Sequence, residues 1–79
     1  MDPLTAAVID KLEEQLDLVG LMDILDSTLN EADEAVKSKD LEKTMESYKD
    51  VFTVRDSISR TYLKKFGQEF QWKIKKSSF

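Results

Sequence analysis

The sequence contains neither cysteine nor histidine, and these two absences remove most of the common catalytic and metal-binding chemistry. Without cysteine there is no disulfide, no thiolate nucleophile and no thiolate zinc ligand. Without histidine there is no imidazole base and no side chain that ordinarily titrates between pH 5 and 8. Carboxylates, lysines and tyrosines remain, but a bundle of 79 residues rarely encloses the dry pocket that acid–base catalysis requires. We therefore expect a non-enzymatic protein with no catalytic residues, no cofactor and no metal site.

Glycine and proline are also scarce, with two glycines and one proline in the chain. Gly20 and Gly67 stand alone, so no glycine-rich loop is available to bind phosphate groups. The acids at Glu31, Asp33 and Glu34 do not match a calcium loop, which needs alternating oxygen ligands and a central glycine. The same composition, with only short β-branched runs, favours helices throughout.

Long hydrophobic runs are absent as well. No apolar stretch approaches the roughly 18–20 residues that span a bilayer, and the segment "MDPLTAAVID" lacks the basic start of a secretory signal. The chain is 41% hydrophobic and 35% charged, which is too apolar for a disordered tail. We expect a soluble cytoplasmic protein that does not contact membranes.

Charge is distributed unevenly along the chain. Residues 1–36 hold ten acids and one base, whereas residues 55–79 hold seven bases and two acids. The net charge of −4 therefore hides an acidic first half and a basic end. Such a gradient indicates either attraction between two ends of one fold or a basic surface for an anionic partner.

The first half of the chain predicts two helices separated at Gly20. Asp2 is a suitable N-cap, and Pro3 is favourable at the first helical position because its missing N–H is not needed there. Apolar residues recur at helical spacing before and after Gly20. In one continuous helix the two apolar stripes would be rotated by roughly 125° from each other. We therefore predict helices over about 3–18 and 21–37.

The second half predicts one long helix over about 40–66, with a possible break near residue 53 where β-branched residues cluster. Gly67 is expected to end this helix, and a short last helix is predicted over 68–75. The stripe expected to face the core of the long helix consists of Leu41, Met45, Tyr48, Phe52, Tyr62 and Phe66, flanked by Val51, Ile58 and Leu63.

Together these elements predict an all-α fold, a small antiparallel bundle of three to four helices that forms a single domain over residues 1–79. A monomer is favoured, although a self-assembling coiled coil is an alternative that predicts a concentration-dependent mass. Short helices are marginal in isolation, so burial of their apolar stripes must supply most of the stability.

The basic end of the chain interleaves lysines with aromatic rings. Lysine and arginine attract phosphate groups, and aromatic rings can stack on unpaired bases. The alternative is that the rings belong to the core and the lysines are solvated. No sequence-specific recognition motif is present, so contacts with DNA would follow its shape and backbone. The candidate nucleic-acid or partner-binding residues are Arg60, Lys64, Lys65, Trp72, Lys73, Lys75 and Lys76.

Arg55 is a second candidate because it falls in the middle of the apolar stripe of the long helix. A buried guanidinium needs a carboxylate partner inside the fold or in another molecule. Asp23 and Asp26 are the candidate internal partners. The alternative is that Arg55 contacts a binding partner.

The acidic first half is a third candidate. Its carboxylates could form a surface that mimics nucleic acid and blocks a DNA-binding partner, although ordinary solvated helices have the same composition. A protein-docking adaptor or inhibitor, using either this acidic surface or an exposed apolar groove next to Arg55, is therefore the alternative to nucleic-acid binding.

Two segments, "LEEQLDLVGLMDIL" and "YLKKFGQEFQWKIKK", give the chain a resemblance to small helical accessory proteins of T4-like phages. Within that group it resembles the companion proteins encoded beside the UvsW recombination helicase. Their fold is similar to the HRDC module of RecQ-type helicases. The resemblance implies that the chain works alongside a helicase or recombination machinery, with single-stranded or branched DNA or a DNA-processing protein as its partner.

Overall fold

The computed structural model describes residues 1–72, and the regular secondary structure in that range is α-helix alone, which confirms the predicted all-α fold class. Three helices follow one another along the chain: α1 (Pro3–Glu14), α2 (Leu18–Lys37) and α3 (Leu41–Phe66). None of the helices in the described part combines the length and the apolar composition needed to cross a membrane.

Helix α1 begins as its sequence predicts. The Asp2 carboxylate accepts hydrogen bonds from the Leu4 and Thr5 backbone N–H groups and from the Thr5 hydroxyl. The bonds from Thr5 and Leu4 favour the charged form and lower the pKa of this carboxyl group. Pro3 occupies the first helical turn, where no N–H is required.

The break between α1 and α2 lies at residues 15–17, so the predicted break at Gly20 is wrong. Leu16 takes a left-handed conformation with φ of 53°, and Asp17 then caps α2 by accepting a hydrogen bond from the Gly20 N–H at 2.9 Å. The next turn is built the same way, with Lys39 at φ of 58° and Asp40 capping α3 through the Lys43 N–H. At both turns, a left-handed residue ends one helix and the aspartate that follows it caps the next.

Gly20 lies inside the first turn of α2, where it lets two helices approach closely. A Cβ atom at this position would lie 2.7 Å from Cδ2 of Leu12 on α1 and 3.1 Å from the Asp17 carboxylate. The glycine therefore serves close packing of α1 on α2.

Helix α3 is continuous through residue 53 and ends at Gly67, which adopts the left-handed conformation with φ of 71°. The predicted end at Gly67 is confirmed, and no break occurs near residue 53. The predicted fourth helix over 68–75 is wrong for residues 68–72, which form a non-helical segment, and its remainder lies outside the described residues. Phe70 and Trp72 are half-buried in this segment because they fold against α3.

The core lies mainly between α2 and α3. Small side chains occupy several of its positions, which allows close approach of the two helix backbones. Helix α1 contributes little to it, with Ile9 buried and Leu12 packed against the edge. The buried core residues are Ile9, Leu21, Leu25, Ala32, Ala35, Val51, Val54 and Ile58.

The core-facing side of α3 differs from the predicted one. Two residues predicted at the flank of the stripe, Val51 and Ile58, are buried together with Val54 and small polar residues. Leu63 and every central member of the predicted stripe except Tyr62 are exposed. The buried residues lie roughly 110° around the helix from the stripe. Helix α3 therefore faces α2 with its smaller side chains and leaves its larger ones outside.

Candidate functional site

A group of large apolar side chains remains outside the core on α2 and α3. The exposed fraction is 73% for Leu41, 65% for Met45 and 58% for Phe52, although leucine, methionine and phenylalanine are among the residue types most often buried. We call the whole group the α2–α3 apolar face. Its members are Met22, Leu29, Val36, Leu41, Met45, Tyr48 and Phe52.

These residues share one side of the molecule, the side that α1 does not cover. On α3, α1 is attached through Asp50 and Ser57, which lie roughly 170° around the helix from the apolar face. On α2, Gly20 lies against α1, and Ile24, Ser27 and Glu31 line a cleft that faces α1, again roughly 170° from the apolar residues. Both helices therefore expose their apolar residues in the direction away from α1.

The spacing of the exposed residues on α3 is that of a coiled-coil seam. Leu41, Met45, Tyr48 and Phe52 are separated by four, three and four positions, which is the a/d pattern of a heptad repeat. In an isolated chain these four side chains would be in contact with water. The exposure of the seam shows that the α2–α3 contact does not use the most apolar stripe of α3.

Charged residues of alternating sign line the outer edge of this seam. The charged residues are Glu42, Lys49 and Asp56, which are exposed and lie seven residues apart. Each comes one position after a residue of the seam: Leu41, Tyr48 and Arg55. In heptad terms the charged residues occupy e positions, where charges select the partner and orientation of a second helix.

The same heptad continues through Arg55 and Ser59, but there the chain covers it with its own C-terminal segment. The Trp72 indole N–H donates a hydrogen bond to the Ser59 hydroxyl at 3.0 Å, and its ring lies 4.6 Å from the Arg55 guanidinium carbon. Phe70 packs edge-on against both Trp72 and Tyr62. One half of the seam is therefore covered, and the half from Leu41 to Phe52 is open.

Among residues 1–72, Arg55 forms no ion pair with a carboxylate, although an internal ion pair was one of the two alternatives for this residue. Neither Asp23 nor Asp26 reaches it. Its guanidinium is half-exposed and lies over the Trp72 ring, with the Phe52 ring 6.0 Å away. Because the Arg55 guanidinium keeps contact with water, it does not need a carboxylate partner inside the fold. The Trp72 ring is its close neighbour instead.

Two of the predicted phosphate-binding residues hold α1 in place. The Arg60 guanidinium donates to the Glu13 carboxylate at 2.8 Å, and the Lys65 ammonium donates to the Leu16 carbonyl at 3.2 Å. Lys64 is exposed on α3. The structure thus brings Arg60 and Lys65 together at the end of α1, and Trp72 lies on another side of α3. Lys73, Lys75 and Lys76 lie outside the described residues.

A cleft of about 700 Å³ separates the start of α1 from α2 and α3. The terminal ammonium group of Met1 crosses it to the Asp50 carboxylate at 3.2 Å. Within residues 1–72, histidine, cysteine and carboxylate side chains form no group of three that could hold a metal ion.

Comparison of the chain with protein-family models, with curated proteins and with solved structures returned no match. The resemblance to the phage companion proteins therefore stays a prediction.

Proposed function

We propose that this protein is a non-enzymatic docking module that binds an amphipathic helix along its α2–α3 apolar face. The observation that carries the proposal is the exposure of a heptad seam on α3, flanked on α2 by Leu29 and Val36. Isolated soluble domains rarely leave contiguous apolar patches of this kind uncovered, and such patches mark interaction surfaces. The pattern of anchors at heptad spacing suits a helix lying in a shallow apolar groove.

The groove follows from the arrangement of α2 and α3. Only residues 38–40 join the two helices, so in this proposal they run antiparallel and present their outer apolar residues side by side. The valley between Leu29 and Val36 on one helix and Met45 and Tyr48 on the other would receive the apolar stripe of the partner.

The charges at the edge of the seam define the partner further. Glu42 and Asp56 favour basic side chains on the docking helix, and Lys49 between them favours an acidic one. These exposed pairs would add little affinity because solvent screens them. Their main effect would be to fix the orientation of the docking helix.

The experiment uses a fluorescein-labelled amphipathic peptide of about three heptads, with leucine at the a and d positions and charges matched to the edge of α3. Fluorescence anisotropy should show binding to the wild-type protein and none of a scrambled peptide. Phe52→Glu places a charge in the seam and should weaken binding by at least about tenfold. Leu4→Glu makes the same change at a residue that is 74% exposed on α1 and should bind like wild type. Equal effects of the two variants would rule out this face, as would the absence of peptide binding at concentrations where wild type is monomeric by sedimentation.

Nucleic-acid binding through Arg60, Lys64, Lys65, Trp72, Lys73, Lys75 and Lys76 stays a prediction. The contacts of Arg60, Lys65 and Trp72 within the fold favour the docking module over it, since each of these side chains already stabilises the position of α1 or the C-terminal segment. Titration of labelled forked and single-stranded DNA at two salt concentrations separates the two functions. Steeply salt-dependent binding supports the nucleic-acid hypothesis, and absent binding supports the docking module.

A further inference from the structure

We infer that the helix received by the apolar face is α3 of a second copy of this chain, packed antiparallel across a two-fold axis. The inference rests on the proposed docking function and names its partner. A symmetric dimer requires a surface that is complementary to itself, and the open half of the α3 seam meets this condition in length, shape and charge.

Length is the first argument. The open half of the seam runs from Leu41 to Phe52, which is about 17 Å of helix. Beyond Phe52 the seam is covered by Trp72 at Arg55 and Ser59. Two copies that overlap only from Leu41 to Phe52 cover all of the open seam and leave both C-terminal segments undisturbed.

Shape is the second argument. With the two-fold axis between Met45 and Tyr48, four layers form across the interface. Leu41 of each copy meets Phe52 of the other, and Met45 meets Tyr48. Each layer pairs an aromatic ring with a flexible or branched aliphatic side chain. A larger side chain therefore packs against a smaller one in all four layers.

Charge is the third argument, and it fixes the direction of the helices. In this register the e positions of the two copies are neighbours, so Glu42 of each copy lies beside Lys49 of the other. Two identical ion pairs then flank the four layers. A parallel arrangement would place Lys49 beside the uncharged g position Thr44, and it would align Arg55 with Arg55 of the second copy, which is repulsive.

Sedimentation equilibrium tests the dimer. Wild type should show a mass that rises from monomer to dimer with concentration, and Phe52→Glu should remain monomeric. Glu42→Lys and Lys49→Glu each replace two attractive pairs by two repulsive ones and should weaken the dimer by about tenfold. The double variant Glu42→Lys/Lys49→Glu should restore wild-type association. Asp10→Lys on α1 makes the same charge change as Glu42→Lys away from the interface and should have no effect.

Restoration by the double variant separates the interface from a folding defect, because the single and the double variant both carry Glu42→Lys and so place the same charge in the first turn of α3. If the single charge variants associate like wild type, or the double variant fails to recover, the antiparallel pairing is wrong.

The relative orientation of the two α3 helices is tested by a spin label attached to Lys64→Cys. The label goes to this position alone because the chain has no other cysteine. In the antiparallel dimer the two labels are more than about 50 Å apart along the helix axis. In a parallel dimer they are separated by roughly 10–20 Å, the helix spacing plus the label. A short distance in pulsed dipolar spectroscopy would overturn the antiparallel dimer.

The outcomes also separate this inference from the proposed function. A protein that stays monomeric at all concentrations but binds the designed peptide through Phe52 contradicts the dimer and supports the docking module. A protein that neither dimerises nor binds the peptide contradicts both.

Discussion

The Arg60 guanidinium donates a hydrogen bond of 2.8 Å to the Glu13 carboxylate, and this contact joins α3 to the last turn of α1. The same Glu13 oxygen also accepts a hydrogen bond from the buried Ser57 hydroxyl. Because α1 buries only Ile9 fully, this polar contact has an unusually large share in holding α1 on the other two helices. The attraction between the acidic first half and the basic end of the chain is therefore realised, in part, inside the fold.

Replacement of Glu13 by alanine should lower the free energy of unfolding by about 1–3 kcal/mol, since the Ser57 hydroxyl loses its acceptor in a buried place. Arg60→Ala should cost less than about 1 kcal/mol because 63% of the arginine side chain is exposed and solvent screens the pair. Urea unfolding followed by circular dichroism measures both. Glu14→Ala is the matched control, because Glu14 is exposed and its ion pair with Lys11 is 3.9 Å long. Similar losses for Glu13→Ala and Glu14→Ala would contradict the role given to Glu13.

Gly20 and Leu12 provide a second test of how α1 packs. Within a helix alanine is ordinarily favoured over glycine, but the Cβ of Gly20→Ala would lie 2.7 Å from Leu12 Cδ2 and 3.1 Å from the Asp17 carboxylate. We expect Gly20→Ala to be less favourable in the wild-type protein than in a Leu12→Ala protein, in which the nearer of these atoms is gone and only the contact with Asp17 remains. A double-mutant cycle by urea unfolding measures this coupling between the two positions. Equal effects of Gly20→Ala in both backgrounds would show that the close approach of Leu12 is unimportant.

The sequence predicts the helices well and their boundaries less well. Asp2, Pro3 and Gly67 act at helix ends as their chemistry indicates. The turn between α2 and α3 lies at residues 38–40, where the sequence predicts it. The break between α1 and α2 was harder to place because Leu16, not a glycine, takes the left-handed conformation there. Asp17, which accepts a hydrogen bond from the Gly20 N–H three residues later, was the available clue.

The candidate site shows a different limit of prediction. Hydrophobic periodicity correctly finds the stripe that contains Leu41, Met45 and Phe52, but it assigns the most apolar stripe to the core. Helix α2 instead packs on Val51, Val54 and Ile58, with small serine side chains between them. Periodicity identifies an apolar stripe and does not say whether the chain itself or another molecule covers it. Helix α3 has two such stripes, and only the fold distinguishes them.

Trp72 is the only tryptophan and reports on the covered half of the seam. Arg55→Ala removes the cation over its ring, and Ser59→Ala removes its hydrogen-bond acceptor. Each variant should loosen the C-terminal segment by about 0.5–1.5 kcal/mol and shift Trp72 emission to longer wavelength, with little change in helix content. Lys64→Ala on α3 is the control and should leave the emission unchanged. Unchanged emission in both Arg55→Ala and Ser59→Ala would show that Trp72 does not rest on these residues.

The most direct test of the docking face uses the three methionine methyl groups as local probes in NMR spectra of protein labelled at these methyls. Met45 lies in the centre of the face, Met22 lies on α2 within it, and Met1 lies on the side of α1. Addition of the amphipathic peptide, or an increase in protein concentration, should shift the Met45 signal most and leave Met1 unchanged. Movement of Met1 alone, or an unchanged Met45 signal under conditions where the peptide binds, would contradict the assignment of the α2–α3 apolar face as the docking surface.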